Sequence, residues 1–196
     1  MDIYFSHKYD ESVTQLETLA AYKHLINAGK VKEIGASNFP LAVLRDAIEL
    51  AKTEDLPKYN YVQPQYNLME RDGFEGDYQR FCIEENLEVI SYFTLASGFL
   101  TGKYQSVEET SGKARERFVK KYFTAKGNRV LNTLTTLSKK YNCSEAAIAI
   151  AWTIAQPGIT APIVSATETA HLEAFDQALK LDLDQEAIDL LKDASA

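Results

Sequence analysis

The sequence predicts an α/β fold made of parallel strand and helix units. Short apolar runs alternate with segments of helical periodicity, and the runs lie far enough apart for the crossover helices that parallel neighbours require. The polar clusters also fall at the ends of the runs, at His7, Ser37-Asn38, Gln63 to Asn67, Tyr92 onward and Ser165 to Thr167. Those are the positions where parallel sheets meet their ligands.

The first strand is Asp2 to His7. Val13, Leu16, Leu19, Ala20 and Ile26 then recur at helical spacing, and Gly29 stands where a helix would stop. Val31 to Ser37 reads as a second strand, and Pro40 suits the first turn of a helix with Leu41, Leu44, Ile48 and Ala51 on one face. Tyr59 to Tyr66 is a third strand, followed by a turn at Asp72-Gly73 and a helix through Tyr78, Phe81 and Cys82. Leu87 to Phe93 is the fourth. From Leu95 to Gly127 the periodicity weakens into a long loop with room for a short helix, and loops of that length tend to carry function. Two helices follow, one through Val130, Leu134, Leu137 and Tyr141 and one from Ser144 through Trp152 to the break at Pro157-Gly158. Ala161 to Ala166 is the fifth strand. The last two helices carry Leu172, Phe175 and Leu179, then Ile188 and Leu191 behind the N-cap Asp184. Two architectures fit this string: an open doubly wound sheet and an arc of a (β/α)8 barrel.

Composition narrows the function classes. At 45% hydrophobic and 25% charged, the 196 residues suit one globular domain. The net charge of −7 comes without a basic block, so a nucleic-acid partner is not expected. No apolar run reaches the roughly 20 residues of a membrane span, and the start lacks the pattern of a signal peptide, so a cytoplasmic protein without membrane contact is expected. Cys82 and Cys143 have no metal-site spacing and read as buried free thiols. The dinucleotide-binding glycine motif and the Walker loop are both absent.

Four runs, in order, resemble the aldo-keto reductase family, most closely its bacterial and potassium-channel β-subunit branch. They are Asp2-Ile3-Tyr4-Phe5-Ser6-His7, the stretch from Gly29 to Phe39 containing Ile34-Gly35-Ala36-Ser37-Asn38, the stretch Gln63-Pro64-Gln65-Tyr66-Asn67-Leu68-Met69-Glu70-Arg71, and Leu95 to Tyr104. The resemblance spans essentially the whole chain. It implies a (β/α)8 barrel of the TIM type, of which residues 1–196 would form one partial domain. About five C-terminal strand and helix units would be present and the first three strands missing.

The resemblance also implies a reaction, hydride transfer between NADP(H) and a small aldehyde or ketone without a metal. His7 takes the place of the histidine that orients the substrate oxygen, although a strand-end histidine also serves as a structural cap. Ser37, Asn38 and Gln63 match the partners of the nicotinamide carboxamide, an amide being best held by groups that offer both donor and acceptor. Ser37-Asn38 has a second reading, as the cap of the helix opened by Pro40. Tyr92 matches the aromatic that stacks on the nicotinamide, with core packing as its alternative. Leu95, Ser97 and Lys103 lie in the run that follows the pyrophosphate, and Thr167, with Ser165, matches a phosphate site ahead of a helix. Lys113, Arg115 and Arg117 are equal candidates for the ribose 2′-phosphate.

Two features depart from the family pattern. Phe93-Thr94 stands where Ser-Pro is usual, which removes the expected phosphate contacts of those positions. The family's catalytic Asp, Tyr and Lys would precede the strand that ends in His7, so His7 alone of the four has a counterpart. Tyr9 is the nearest phenol in sequence, and no motif supports it as a substitute. A chain of this kind is expected to be catalytically impaired by itself, to act as a cofactor-binding or regulatory module, or to be a remnant. Its uncovered sheet edges favour self-association.

Overall fold

A computed structural model describes residues 1–104, 106–113 and 115–196; Gln105 and Ala114, within the predicted long loop, lie outside the described residues. The chain groups into two compact units, Met1–Pro64 with Phe74–Ile90, and Gln65–Gly73 with Ser91–Ala196. The strands β1 (Ile3–Ser6), β2 (Glu33–Ser37), β3 (Tyr61–Gln63), β4 (Glu88–Ser91) and β5 (Ile159–Pro162) follow in chain order without reversal. A doubly wound sheet reverses its order at a switch point, whereas a barrel adds each strand beside the last. The parallel sheet is therefore of the (β/α)8 type.

The first unit contains β1 (Ile3–Ser6), α1 (Gln15–Asn27), β2 (Glu33–Ser37), α2 (Leu41–Thr53), β3 (Tyr61–Gln63), α3 (Asp77–Glu84) and β4 (Glu88–Ser91), which passes into the second unit at Ser91. Strands β1 to β4 pair in parallel, with Phe5 opposite Gly35, Gly35 opposite Tyr61 and Tyr61 opposite Glu88. Helix α1 opens with a capping box, Thr14 and Glu17 each satisfying the other's backbone N–H. It closes as expected at Gly29, whose φ of +67° lets Gly29 N and Lys30 N turn back to Ile26 O and Leu25 O. Leu19, Ile34, Leu44, Ala47, Val62 and Val89 are fully buried. Burying one such leucine contributes about 1.5–3 kcal/mol. A chain of edge-to-face rings, Tyr4 to Tyr22, Tyr22 to Tyr59 and Tyr59 to Phe39, continues that core.

The strands are shorter than their apolar runs. β3 stops before Pro64 and β5 (Ile159–Pro162) stops at a proline, because proline has no N–H to extend a ladder. β5 therefore ends ahead of the predicted Ala161 to Ala166, and Ser165 and Thr167 lie beyond it. Ile163 N, just past the strand, donates to Ser91 O at 2.7 Å.

The second unit holds the short α4 (Glu116–Val119), then α5 (Ala125–Tyr141), α6 (Glu145–Ile154), β5, α7 (His171–Lys180) and α8 (Gln185–Ala194). Hydroxyl caps from Thr124 and Ser144 start α5 and α6. Gly127, in the first turn of α5, admits no side chain: a Cβ there would overlap the Tyr122 carbonyl and stand 3.0 Å from Phe99 Cζ. Alanine would gain about 1 kcal/mol of helix propensity and lose more to that backbone clash. Trp152 is fully buried on α6, stacked with Tyr66 at 5.7 Å. Arg71 lies 5.9 Å over the Trp152 ring and donates to Lys192 O and Ser195 Oγ at 2.7 and 2.8 Å, fastening the segment after β3 to the end of α8. Among the described residues no helix is long and apolar enough to cross a membrane.

Asp184 caps α8 as expected, its Oδ1 accepting from Ala187 N at 2.8 Å while Oδ2 meets Lys140 Nζ at 2.8 Å. The Lys140 ammonium, then the Ala187 amide, hold its carboxyl down to about 2. A group whose folded pKa lies below its unfolded value stabilises the fold above the unfolded pKa and loses that contribution as pH falls through the folded one. Urea denaturation of the wild type should therefore show an acid loss between about pH 4 and pH 2 that Asp184→Asn partly flattens. Identical acid limbs would show that the carboxylate contributes nothing there.

Candidate functional site

In the first unit the carboxyl ends of β1, β2 and β3 gather four of the residues singled out in the sequence. The β2–β3 register places Ser37 opposite Gln63, and the β1–β2 register brings Ser6 beside Ala36, so His7 follows next to Ser37 and Asn38. Ser37 is buried, and its hydroxyl donates to Gln63 O at 2.9 Å and to Gln63 Oε1 at 3.3 Å. Asn38 Nδ2 donates to His7 O at 3.0 Å and to Ser37 Oγ at 3.1 Å. Asn38 sits at φ +57°, a conformation that asparagine tolerates better than other side chains. One connected network thus runs from His7 through Asn38 and Ser37 to Gln63. The alternative reading of Ser37-Asn38 as a helix cap does not hold, because Pro40 itself occupies the N-cap of α2 and makes no side-chain cap bond.

This donor set fits a carboxamide. Ser37 Oγ lies 3.3 Å from the Gln63 side-chain oxygen, and among the described residues nothing accepts from Gln63 Nε2. The His7 main chain is tethered by Asn38, its side chain is exposed, and the imidazole has no hydrogen-bond partner among the described residues. Burial pushes the phenols of Tyr22, Tyr59 and Tyr78 upward. Tyr9 packs its ring edge against Phe39 at 5.8 Å. His24 lies inside α1, away from any motif.

In the second unit Tyr92 follows β4, half-buried, with Tyr66 N donating to its carbonyl at 3.3 Å. The loop from Phe93 to Lys103 is strained at three positions, φ being +55° at Phe93, +46° at Ala96 and +59° at Ser97, and Gly98 follows at +98°. Each non-glycine residue there costs on the order of 1–2 kcal/mol. Leu95 O accepts from Gly98 N at 2.8 Å and Leu100 N at 3.3 Å, which closes the loop on itself. Lys103 folds back over it, its Nζ 3.3 Å from where a Gly98 Cβ would stand, so Leu95, Ser97 and Lys103 belong to one tight turn. Thr94 Oγ1 donates to Ile163 O at 2.9 Å, a structural use of the residue that replaces the usual proline. Thr167 does not join a helix N-terminus: α7 begins four residues later, and Thr167 N donates instead to His171 Nδ1 at 3.3 Å. Lys113, Arg115 and Arg117 are all exposed.

Two residues of this unit stood in a quoted motif without an assigned role. Asn67 is fully buried; its Oδ1 accepts from Met69 N and Glu70 N at 2.8 and 3.1 Å, and its Nδ2 donates to Phe93 O at 3.0 Å. Glu70 Oε1 meets Lys121 Nζ at 2.5 Å and the Tyr122 hydroxyl at 3.1 Å. Burial and that carboxylate push the Tyr122 phenol up to about 12, so this Tyr-Lys pair is the reverse of an activated acid. Asn67 and Glu70 belong to a recognisable motif, but their partners are 26 and 52 residues away and leave no local signal. Of the cysteines, Cys82 is buried and its thiol is pushed up to about 12, while Cys143 is half-buried. Neither has the character of a nucleophile.

The comparisons with known proteins agree with this topology. The chain belongs to the aldo/keto reductase family, whose model matches residues 1–196. It is similar to the L-glyceraldehyde 3-phosphate reductase of Escherichia coli O157:H7, 28% identical over 185 residues that cover 91% of this chain and 53% of that protein. Probable aldo-keto reductase 1 of Glycine max is 29% identical over 188 residues, covering 94% and 52%. The chain spans about half the length of the curated relatives it matches. The thermostable aldo-keto reductase Tm1743, solved with the inhibitor epalrestat, shares the fold at a TM-score of 0.75 and 22% identity, over 98% of this chain and 59% of that one.

Asn67→Ala leaves two backbone amides and the Phe93 carbonyl short of a partner, at about 1 kcal/mol or more for each buried bond. Chemical denaturation should show a loss of about 2–4 kcal/mol, with Asn67→Asp recovering part of it through the retained Oδ1. A loss below about 0.5 kcal/mol would contradict the role given to Asn67.

Proposed function

We propose that this chain supplies the nicotinamide-binding part of an NADPH-dependent carbonyl reductase acting on an aldehyde or ketone. The observation that carries the reading is the His7–Asn38–Ser37–Gln63 network at the carboxyl ends of three successive parallel strands. When bound, the nicotinamide supplies the hydride. Gln63 Nε2 donates to the carboxamide oxygen, and Ser37 holds Gln63 in the rotamer that makes this possible. Asn38 fixes the main chain of His7, so that the imidazole meets the substrate oxygen at a set position. Positioning of this kind is worth several kcal/mol in the barrier. The second unit, taken by itself, presents the ring face of Tyr92, which suits a planar ring, and a turn with Leu95, Ser97 and Lys103 whose amides and charge suit a phosphate. Thr167 is the weakest of these assignments, because no helix end stands behind it. Selection of the 2′-phosphate falls to the exposed cations of the 113–117 stretch.

A second reading, of a chain that holds cofactor without turnover, is favoured by the phenols: Tyr22, Tyr59, Tyr78, Tyr92 and Tyr122 all shift upward, away from an acid matched to an alkoxide. The two readings share the cofactor and differ in catalysis.

NADPH titration, followed by fluorescence, tests both. Gln63→Ala should weaken binding roughly ten-fold, about 1.4 kcal/mol, without shifting the melting temperature. Carbonyl-dependent NADPH oxidation by the chain alone should be absent in the second reading. A wild-type chain with no affinity for NADPH, or a Gln63→Ala chain with unchanged affinity, would end the proposal.

A further inference from the structure

Strand β1 forms an open edge of the parallel sheet and pairs on one side only, with β2. Asp2 O accepts from Glu33 N at 2.9 Å, and the register continues through Tyr4 opposite Ile34 and Ser6 opposite Ala36. In a parallel ladder alternate residues address the same neighbour, so Tyr4 and Ser6 follow Asp2 toward β2. The N–H and C=O groups of Ile3 and Phe5 therefore point to the other side, where no strand lies among the described residues. Sheet edges are commonly blunted by a proline, a bulge or an inward-pointing charge. The run Ile3-Tyr4-Phe5-Ser6 carries none of these, and its Tyr4 is 42% exposed.

The charges flanking the strand say what covers it. A two-fold axis normal to the sheet would pair β1 with a second β1 antiparallel and keep each side chain on its own face of the sheet. Even-numbered residues then stand opposite even-numbered ones, and two registers centre on the middle of the strand: Tyr4 opposite Tyr4, or Phe5 opposite Phe5. The first sets Asp2 opposite Ser6 and leaves Lys8 without a counter-charge. The second sets Asp2 of each copy opposite Lys8 of the other, so that opposite charges meet at both ends of the contact. Both groups can serve. Asp2 uses Oδ1 for Lys32 Nζ at 2.7 Å and its Oδ2 has no partner among the described residues, while Lys8 is exposed and has no ion pair among them. The second register also makes the outward amides and carbonyls of Phe5 the central hydrogen-bonded pair.

We propose that a second copy of this chain docks on β1, antiparallel and centred on Phe5, and that the two form a symmetric dimer. The contact is isologous, so it uses the same edge in both copies and stops at two. It sets Ile3 of one copy opposite His7 of the other, and each candidate site then has an apolar residue of the second copy at its border. Four strand residues from each copy make a small contact, and dissociation is expected on the order of 10–100 µM.

Sedimentation equilibrium of the full chain, from about 5 to about 500 µM, tests this on the wild type, Ile3→Pro, Lys8→Glu and the double variant of Asp2→Lys with Lys8→Glu. The wild type should pass from monomer to dimer and no further. Proline at position 3 removes an outward amide and no ladder bond, so Ile3→Pro should melt as the wild type does and dimerise about ten-fold more weakly. Lys8→Glu faces Asp2 with a like charge and should weaken the dimer about three-fold or more, and the double variant should return it to within about two-fold of the wild type. The charge variants alter only exposed side chains, so they decide the matter even if Ile3→Pro unfolds. The proposal is overturned by a wild type that stays monomeric at about 500 µM or grows past the dimer, or by a folded Ile3→Pro that dimerises equally well. It is equally overturned if Lys8→Glu has no effect, or if the double variant fails to repair its loss.

Discussion

The hydrogen bond from Ser37 to Gln63 is the interaction on which the candidate site depends, and the parallel register of β2 and β3 imposes it. That register sets Ser37, the last residue of β2, opposite Gln63, the last residue of β3, so the residues that close these two strands are neighbours. Ser37 is buried, and a buried hydroxyl without a partner costs about 1–3 kcal/mol. Its donor goes to Gln63, its oxygen accepts from Asn38, and Asn38 in turn holds the His7 carbonyl. Three strand ends are thus tied through side chains, and among the described residues the Gln63 Nε2 group and the His7 imidazole have no hydrogen-bond partner.

The second unit shows the opposite strategy. Its loop from Phe93 to Gly98 stores strain in successive left-handed residues, and tertiary bonds from Asn67 and from within the loop keep it in place. Strain of this kind persists where surrounding contacts over-determine it. Here the surroundings include the Arg71 and Trp152 stack and the Glu70 contacts with Lys121 and Tyr122. A flexible glycine loop would carry the same small residues with less order. The rigidity costs stability and gains a fixed set of backbone amides.

Much of this was legible in the sequence, for reasons that differ by element. Helix periodicity located α1, α2, α5 and α6, while Gly29 and Asp184 marked a stop and a start through local chemistry. The strands were found but drawn too long, since an apolar run does not reveal that Pro64 or Pro162 ends its ladder. Among the site residues, the motifs supplied identities and the structure supplied bonds. His7, Ser37, Asn38 and Gln63 form one network, whereas Thr167 proved to lie in an exposed segment short of its helix. Asn67, Glu70 and Arg71 stood in a quoted motif and still could not be assigned, because their partners lie 26 to 124 residues away. Phe93 was legible only as a departure from a pattern.

The most direct test of the central claim is side-chain amide NMR of the ¹⁵N-labelled chain during titration with NADPH. The account predicts that the Gln63 Nε2 resonances shift and saturate with the nucleotide, with Asn38 Nδ2 moving in step through Ser37. Saturable shifts elsewhere with Gln63 and Asn38 unmoved would contradict it.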